Sequence, residues 1–173
     1  DYFSEKVLRL PHSHLCYTPS TRAQQAQEAY ASYEVHSPIV FGSFNNFAKI
    51  TDDMLALWKH ILAQVPGSRL LLKDAGQNPY GLRSMKLRLH RLGFKEEQIL
   101  MVPPTGDYMA AYPQMDIALD TYPYPGGGTT CDALYMGVPV VSRYGDRHGS
   151  RFGRSLLENI GLGELAAADG QEY

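Results

Sequence analysis

The sequence predicts an α/β fold, a parallel sheet with helices on both faces, and three observations predict it. Short apolar runs recur as PIVFGSF (38–44), RLLLK (69–73), ILMVP (99–103), DIALD (116–120) and VPVVS (138–142). Most are continuous rather than alternating, the pattern of strands buried on both faces. Between them lie segments of helical period, so the apolar spacing keeps switching between strand and helix.

Residues 1–36 are polar and weakly periodic, with Pro11, Pro19 and TRAQQAQEAYASYE ahead of the first strand, and read as a linker or arm; residues 37–173 read as one lobe. DDMLALWKHILAQV (52–65) is amphipathic. Thr51 stands where a helix needs an N-cap, and Asp52 and Asp53 complement the dipole of the first turn. Pro66-Gly67-Ser68 stops this helix, and Trp58 with the Leu/Ile stripe belongs to the core. A second helix runs from about Pro79 and is closed by Gly93. A short one covers about 106–113, another begins TTCDALYM and ends at Gly137, and a last one spans about Ser150 to Asn159. Strands and helices alternating in this way make a Rossmann-like sheet, whose ligands bind beyond the carboxyl ends of the strands. The loops after Phe44, Lys73, Pro103, Asp120 and Ser142 are therefore the ones to search.

Composition narrows the function classes. At 173 residues, with a formal net charge of -2 and a pI near 6.3, the chain has no general basic field for a nucleic-acid backbone. No apolar run approaches the roughly 20 residues of a membrane span, and DYFSEKVLRL lacks the apolar stretch of a signal peptide. Cys16 and Cys131 are the two cysteines, far apart in sequence and without a second Cys/His pair at metal-ligand spacing. No disulfide framework and no metal site are expected, and a reducing, cytoplasmic compartment fits. The absence of an initial Met and the ending ADGQEY, where a further helix can begin, predict a piece of a longer protein.

The segment DTYPYPGGGTTCD (120–132) places three consecutive glycines where a strand's carboxyl end turns into a helix. Glycines let a backbone approach a ligand closely. The first turn of a helix has unpaired N–H groups and a partial positive charge, and Thr129 and Thr130 add hydroxyls, a combination that cradles a diphosphate. Asp132, one turn in, is placed to accept from a sugar hydroxyl. The same residues also read as a plain turn with a capping threonine and a dipole-complementing carboxylate. Neither a dinucleotide fingerprint nor a P-loop is present.

Taken together, FGSFNNFAKIT (41–51), LLLK, DIALDTYPYPGGGTTCDALYMGVPVVS (116–142), GDRHGSRFGRSLL and IGLGEL resemble the C-terminal lobe of the protein O-GlcNAc transferase and SPINDLY family. YFSEKVLRLPHSHLCYTP resembles the stretch that joins that family's two lobes. The resemblance implies a GT-B fold, with two Rossmann-like lobes of which this one holds the nucleotide sugar, and often an N-terminal array of tetratricopeptide repeats. It further implies metal- and cofactor-free, inverting transfer from UDP-GlcNAc to Ser or Thr of a protein held by the N-terminal lobe and repeats. O-fucosyl transfer, N-linked transfer, a nucleotide-sugar epimerase and a non-catalytic nucleotide- or partner-binding module remain alternatives.

Residue by residue, the resemblance implies that Gly127, Gly128, Thr129 and Thr130 meet the donor diphosphate and that Asp132 holds the ribose. Lys49 matches a lysine that offsets charge on the departing nucleotide and is the expected catalytic residue. Asn46 matches a polar donor contact. Tyr108 falls where animal members stack a histidine on uracil, and a tyrosine ring can stack likewise; Pro103 to Thr105 are expected to line the base pocket through their backbone. Gly127 aligns with a histidine of many animal members, so its backbone alone can serve. Ser150-Arg151 resembles a signature near the donor. Arg151 is expected to pair with Asp146, and His148 to be a solvated loop histidine. Without the resemblance, Lys49 reads as a solvated lysine ahead of a helix and Tyr108 as a half-buried helix residue.

Overall fold

The computed structural model describes residues 4–30, 34–74 and 80–173. Among these, the strands are β1 (Val40–Ser43), β2 (Arg69–Lys73), β3 (Ile99–Val102), β4 (Ile117–Leu119), β5 (Val140–Arg143) and β6 (Ala166–Ala167). They form one sheet in the order β3-β2-β1-β4-β5-β6, and every neighbouring pair is parallel. The helices are α1 (Thr21–Ala29), α2 (Asp52–Gln64), α3 (Gly81–Arg91), α4 (Gly128–Tyr135) and α5 (Phe152–Asn159). This is the Rossmann-like α/β lobe that the alternation predicts. No described helix is long and apolar enough to cross a membrane.

The continuous apolar strands are explained by two cores, one on each face. In β2, Leu70 and Leu72 pack with Met54, Leu55 and Trp58 of α2 and with Leu89 of α3. Leu71, one residue out of phase, joins Phe44, Tyr112 and Met115 on the other face. Each of these strand leucines is at most 1 % exposed, so both phases of the pleat must be apolar.

Helix ends follow local chemistry. Thr51 Oγ1 accepts from the Met54 N–H at 3.2 Å, as an N-cap does. Gly93 and Gly137 close their helices at φ of +78° and +79°, a conformation in which a Cβ is strained. After Gly137 the Val138 N–H returns to the Ala133 carbonyl at 2.9 Å.

Three elements differ from the sequence expectation. The segment read as an arm contains α1, capped by Ser20 Oγ on the Ala23 N–H at 3.1 Å, with Ala23 and Ala26 buried against the turn at 109–114. Two alanines among polar residues are too small an apolar signal to show it. The short helix expected at 106–113 is a 3-10 helix over Met109–Gln114. Pro113 has no N–H to offer an α-helix, which explains the tighter form. The two-residue β6 is too short to leave a pattern. The expected start of the second helix at Pro79 lies outside the described residues.

Candidate functional site

The strand order reverses between β1 and β4, and a crevice opens beyond their carboxyl ends at such a point. Asn45 follows β1 and Asp120 follows β4, and Asn45 Nδ2 donates to Asp120 Oδ1 at 3.1 Å across the junction. The same Oδ1 accepts from the N–H groups of Thr121 at 2.8 Å and Gly126 at 2.7 Å, while Oδ2 accepts from Ser142 Oγ at 2.7 Å. Asp120 is 2 % exposed; burial pushes its pKa up, against the pull of these four donors. The carboxylate therefore closes the loop 121–126 on itself. Gly126 has no room for a side chain, since a Cβ there would lie 2.5 Å from Thr130 Oγ1 and 2.6 Å from Thr129 Oγ1.

This loop delivers the chain to α4. Gly127 is the N-cap and has no side chain to cap with, and the first helical bond runs from the Cys131 N–H to the Gly127 carbonyl at 3.0 Å. The N–H groups of Gly128, Thr129 and Thr130 consequently have no partner within the helix, at the positive end of its dipole. The threonine hydroxyls brace the loop: Thr129 Oγ1 donates to Asn45 Oδ1 at 3.1 Å, and Thr130 is 3 % exposed beneath the helix. What they offer an anion is backbone.

A cavity of about 620 Å³ adjoins this helix start, with Lys73, Thr105, Tyr108, Gly128, Thr129 and Asp132 among its walls. Asp132 is held from two sides. Tyr17 donates to Oδ1 at 2.7 Å and Tyr108 to Oδ2 at 3.0 Å. Burial and the Asp132 charge push the Tyr108 phenol up to about 12 and the Tyr17 phenol well above its usual range, so both keep their protons and donate. The Tyr108 ring stays 43 % exposed, open to stacking. Lys73 Nζ donates to the Pro103 carbonyl at 2.7 Å and to Thr105 Oγ1 at 3.0 Å.

Thr105, Tyr108, Gly128, Thr129 and Asp132 thus meet at one cavity, and the other expected residues stand around it. Lys49 ends the 3-10 turn Phe47–Lys49 and leans on the glycine loop from the far side. Its ammonium lies 3.3 Å from the Pro125 carbonyl and 4.5 Å from the Tyr124 ring centre. Burial lowers its pKa, and the Asp120 charge partly restores it. Asn46 caps that turn through the Ala48 N–H at 2.9 Å and borders a separate hollow with Arg88. Gly127 and Thr130 lie off the cavity wall, and the Pro103 carbonyl is taken by Lys73.

One expectation for the following loop, the pairing of Arg151, is corrected. Among the described residues no ion pair joins Arg151 to Asp146. Arg151 instead borders a polar hollow of about 410 Å³ with His12 and Arg154, because the 3-10 turn His148–Ser150 separates the two side chains. His148 is exposed yet packed edge-on to Phe152, at 5.2 Å between ring centres, while His14 stacks on the same ring at 4.1 Å. Among the described residues no group of three or more His, Cys, Asp or Glu is arranged to hold a metal.

Sequence reasoning missed Asn45, Asp120, Lys73 and Tyr17. Polar residues ending apolar strands at the carboxyl edge were a signal for the first three. Nothing local marks Tyr17, which reaches Asp132 across 115 positions.

The family described as Glycosyl transferase family 41 matches residues 19–173. The SPINDLY proteins of Petunia hybrida and Arabidopsis thaliana, each named a probable UDP-N-acetylglucosamine–peptide N-acetylglucosaminyltransferase, are 44 % and 43 % identical to the chain. Both alignments cover 98 % of this chain and 18 % and 19 % of the respective relatives, so the chain spans about a fifth of their length. A Thermobaculum terrenum O-GlcNAc transferase, solved as a point mutant, is similar over 78 % of this chain and 26 % of its own, with a TM-score of 0.71 at 38 % identity. A glycosyltransferase of Rickettsia africae shares the fold, with a TM-score of 0.52 over 90 % of this chain and 40 % of its own at 13 % identity.

Proposed function

The chain belongs to glycosyl transferase family 41, and we propose on that premise that residues 37–173 are the donor-binding lobe of a protein glycosyltransferase. The reaction moves a sugar, GlcNAc from UDP-GlcNAc in the first instance, to a Ser or Thr hydroxyl of a protein. The observation that carries this reading is the cavity at the start of α4, whose walls bring together N–H groups without helical partners, the Asp132 carboxylate and the Tyr108 ring, features suited to a diphosphate, a ribose and a base.

In this reading the diphosphate sits on the N–H groups of Gly128 to Thr130, and Asp132 accepts from the ribose. When the bond between the sugar carbon and the phosphate oxygen breaks, negative charge gathers on the departing diphosphate. The helix start and Lys49 face that charge, Lys49 by leaving the Pro125 carbonyl. The acceptor oxygen attacks from the opposite side of the sugar, which inverts the configuration. Residues 1–36 connect this lobe to a second one, which with its repeats holds the acceptor protein.

Calorimetric titration of the chain with UDP in the presence of EDTA tests the assignment. Binding is expected without a divalent metal. Binding of NADH or ATP with no response to any nucleoside diphosphate overturns it.

A further inference from the structure

Trp58 is fully buried on α2, so its indole N–H has no route to water and needs an acceptor inside the protein. Trp58 Nε1 donates to the Tyr173 hydroxyl at 3.2 Å, and that hydroxyl donates in turn to the Asp120 carbonyl at 2.8 Å. Burial, with the Asp120 charge behind it, pushes the Tyr173 phenol well above its ordinary value, so the proton of the second bond stays in place. One oxygen thereby links α2 to the residue whose carboxylate closes the glycine loop.

Tyr173 is brought to this position by a turn that the chain stabilises three times over. The Asp169 carboxylate accepts from the N–H groups of Gln171 at 2.8 Å and Glu172 at 3.0 Å, and the Glu172 carboxylate accepts from the Ala168 N–H at 2.8 Å. The Tyr173 N–H completes the turn on the Asp169 carbonyl at 3.3 Å. The chain is thus carried from β6, at the sheet edge, back to the end of β4, two strands inward. A ring that only had to fill space beside Trp58 has no use for a hydroxyl, whereas both neighbours here bond to one.

α2 follows directly on the turn that carries Lys49, and the glycine loop leads into α4. In the donor-lobe reading these are the two elements that face the departing diphosphate. Lys49 touches the loop late, at the Pro125 carbonyl, and Tyr173 touches it at its root, Asp120. A slip of the loop along α2 would separate Lys49 from the start of α4, and a misplacement of about 1 Å can cost on the order of 100-fold in rate.

We propose that Tyr173 is a positioning residue for the donor: its hydroxyl holds α2 and the root of the glycine loop at a fixed separation, so that Lys49 and the start of α4 meet one diphosphate, and it carries movement of the loop on donor binding to Trp58. The inference rests on the donor-lobe reading and adds to it two residues that stand outside the cavity walls.

Trp58 is the single tryptophan of the sequence, so its emission reports on this relay alone. The test titrates UDP and pyrophosphate into the chain and its Tyr173→Phe variant, followed by calorimetry and by tryptophan fluorescence. UDP is expected to bind the unsubstituted chain and to change Trp58 emission. Tyr173→Phe, which removes one oxygen, is expected to weaken UDP and pyrophosphate alike by about tenfold, the scale of one lost hydrogen bond, and to abolish the emission change at saturating UDP. Leu157→Val trims a fully buried side chain of α5 and is the control for stability. It should lower the melting temperature yet keep both the UDP affinity and the emission change. Unchanged affinities in Tyr173→Phe make its hydroxyl a packing contact only and overturn the proposal. So does an affinity loss that Leu157→Val reproduces, or an emission change that survives Tyr173→Phe. If Tyr173→Phe does not fold, the unsubstituted chain still decides, because UDP binding by calorimetry without any change in Trp58 emission overturns the relay. Those outcomes refute the role of Tyr173 alone, whereas no binding of any nucleotide or pyrophosphate refutes the donor-lobe reading as well.

Discussion

The Tyr17 hydroxyl donates to Asp132 Oδ1 at 2.7 Å and so ties the N-terminal segment to the second turn of α4. Leu15 lies over the same helix start, where a Cβ on Gly127 would come within 3.3 Å of its Cδ1. Arg22 adds a bond to the Gly106 carbonyl at 3.0 Å. The segment expected to be a connecting arm is thus also part of the frame around the cavity, and it orients the carboxylate assigned to the ribose.

Asp132→Ala is expected to weaken UDP binding by about tenfold, the scale of one lost hydrogen bond to a charged acceptor, with pyrophosphate affinity unchanged. The helix start that meets the phosphates is intact in this variant. Parallel titrations with both ligands measure the difference, and an equal loss for both would show that Asp132 only supports the fold.

Gly126→Ala forces a Cβ to within 2.6 Å of two threonine hydroxyls. A stability loss of about 1–3 kcal/mol is expected in urea denaturation, the usual cost of overpacking, together with weaker UDP binding. Gly128, where an added Cβ meets nothing within 4 Å, is the control. Gly128→Ala should change stability by less than about 0.5 kcal/mol, since alanine suits a helix better than glycine. Similar losses at the two positions would refute the close-approach argument.

Asp120 accepts three donors on one oxygen and one on the other, and the latter is a hydroxyl that can rotate. Asparagine can therefore keep its oxygen on the three donors and give its amide proton to Ser142 Oγ. Asp120→Asn is expected to cost less than about 1.5 kcal/mol, whereas Asp120→Ala, which strands buried donors, should cost about 3 kcal/mol or more. Chemical denaturation of the two variants separates them. Equal costs would mean that the charge, and not the acceptor geometry, holds the loop.

Lys49 and Lys73 both sit below the ordinary lysine value of 10.5 because burial disfavours their charged forms. Between the lowered and the ordinary values the folded chain binds fewer protons than the unfolded one. Stability should accordingly rise with pH through that window and level off above 10.5. Donor binding has the opposite sign, since a diphosphate favours charged Lys49. UDP affinity should fall with rising pH before the ordinary lysine range is reached, and Lys49→Met should bind weakly at every pH with that fall removed. Asp120→Asn takes away the charge that supports Lys49 and should move the fall to lower pH. An unchanged fall in Lys49→Met would assign it to another group.

Much of the lobe was legible in the sequence because it depends on neighbours along the chain. The continuous apolar runs announced strands covered on both faces, Thr51 announced the start of α2, and Gly93 and Gly137 announced helix ends that need positive φ. The glycine loop announced the start of α4, and the resemblance attached expected roles to Lys49, Thr129 and Asp132. The helix α1 escaped notice because its buried face is two alanines, and the expected helix before Met115 became a 3-10 helix because Pro113 lies within it.

The sequence by itself determined the period of each element, its caps and stops, and the glycine turn that leads into α4, since these obey local sterics and hydrogen bonding. The tertiary structure alone decided which polar groups face one another. Asn45 meets Asp120 across 75 positions, Lys73 meets Pro103 across 30, and Tyr17 meets Asp132 across 115. Those pairings follow from the order and register of the strands and the path of the N-terminal segment. They arise when loops widely separated in the chain are buried together beyond one edge of the sheet, and no local pattern records that placement.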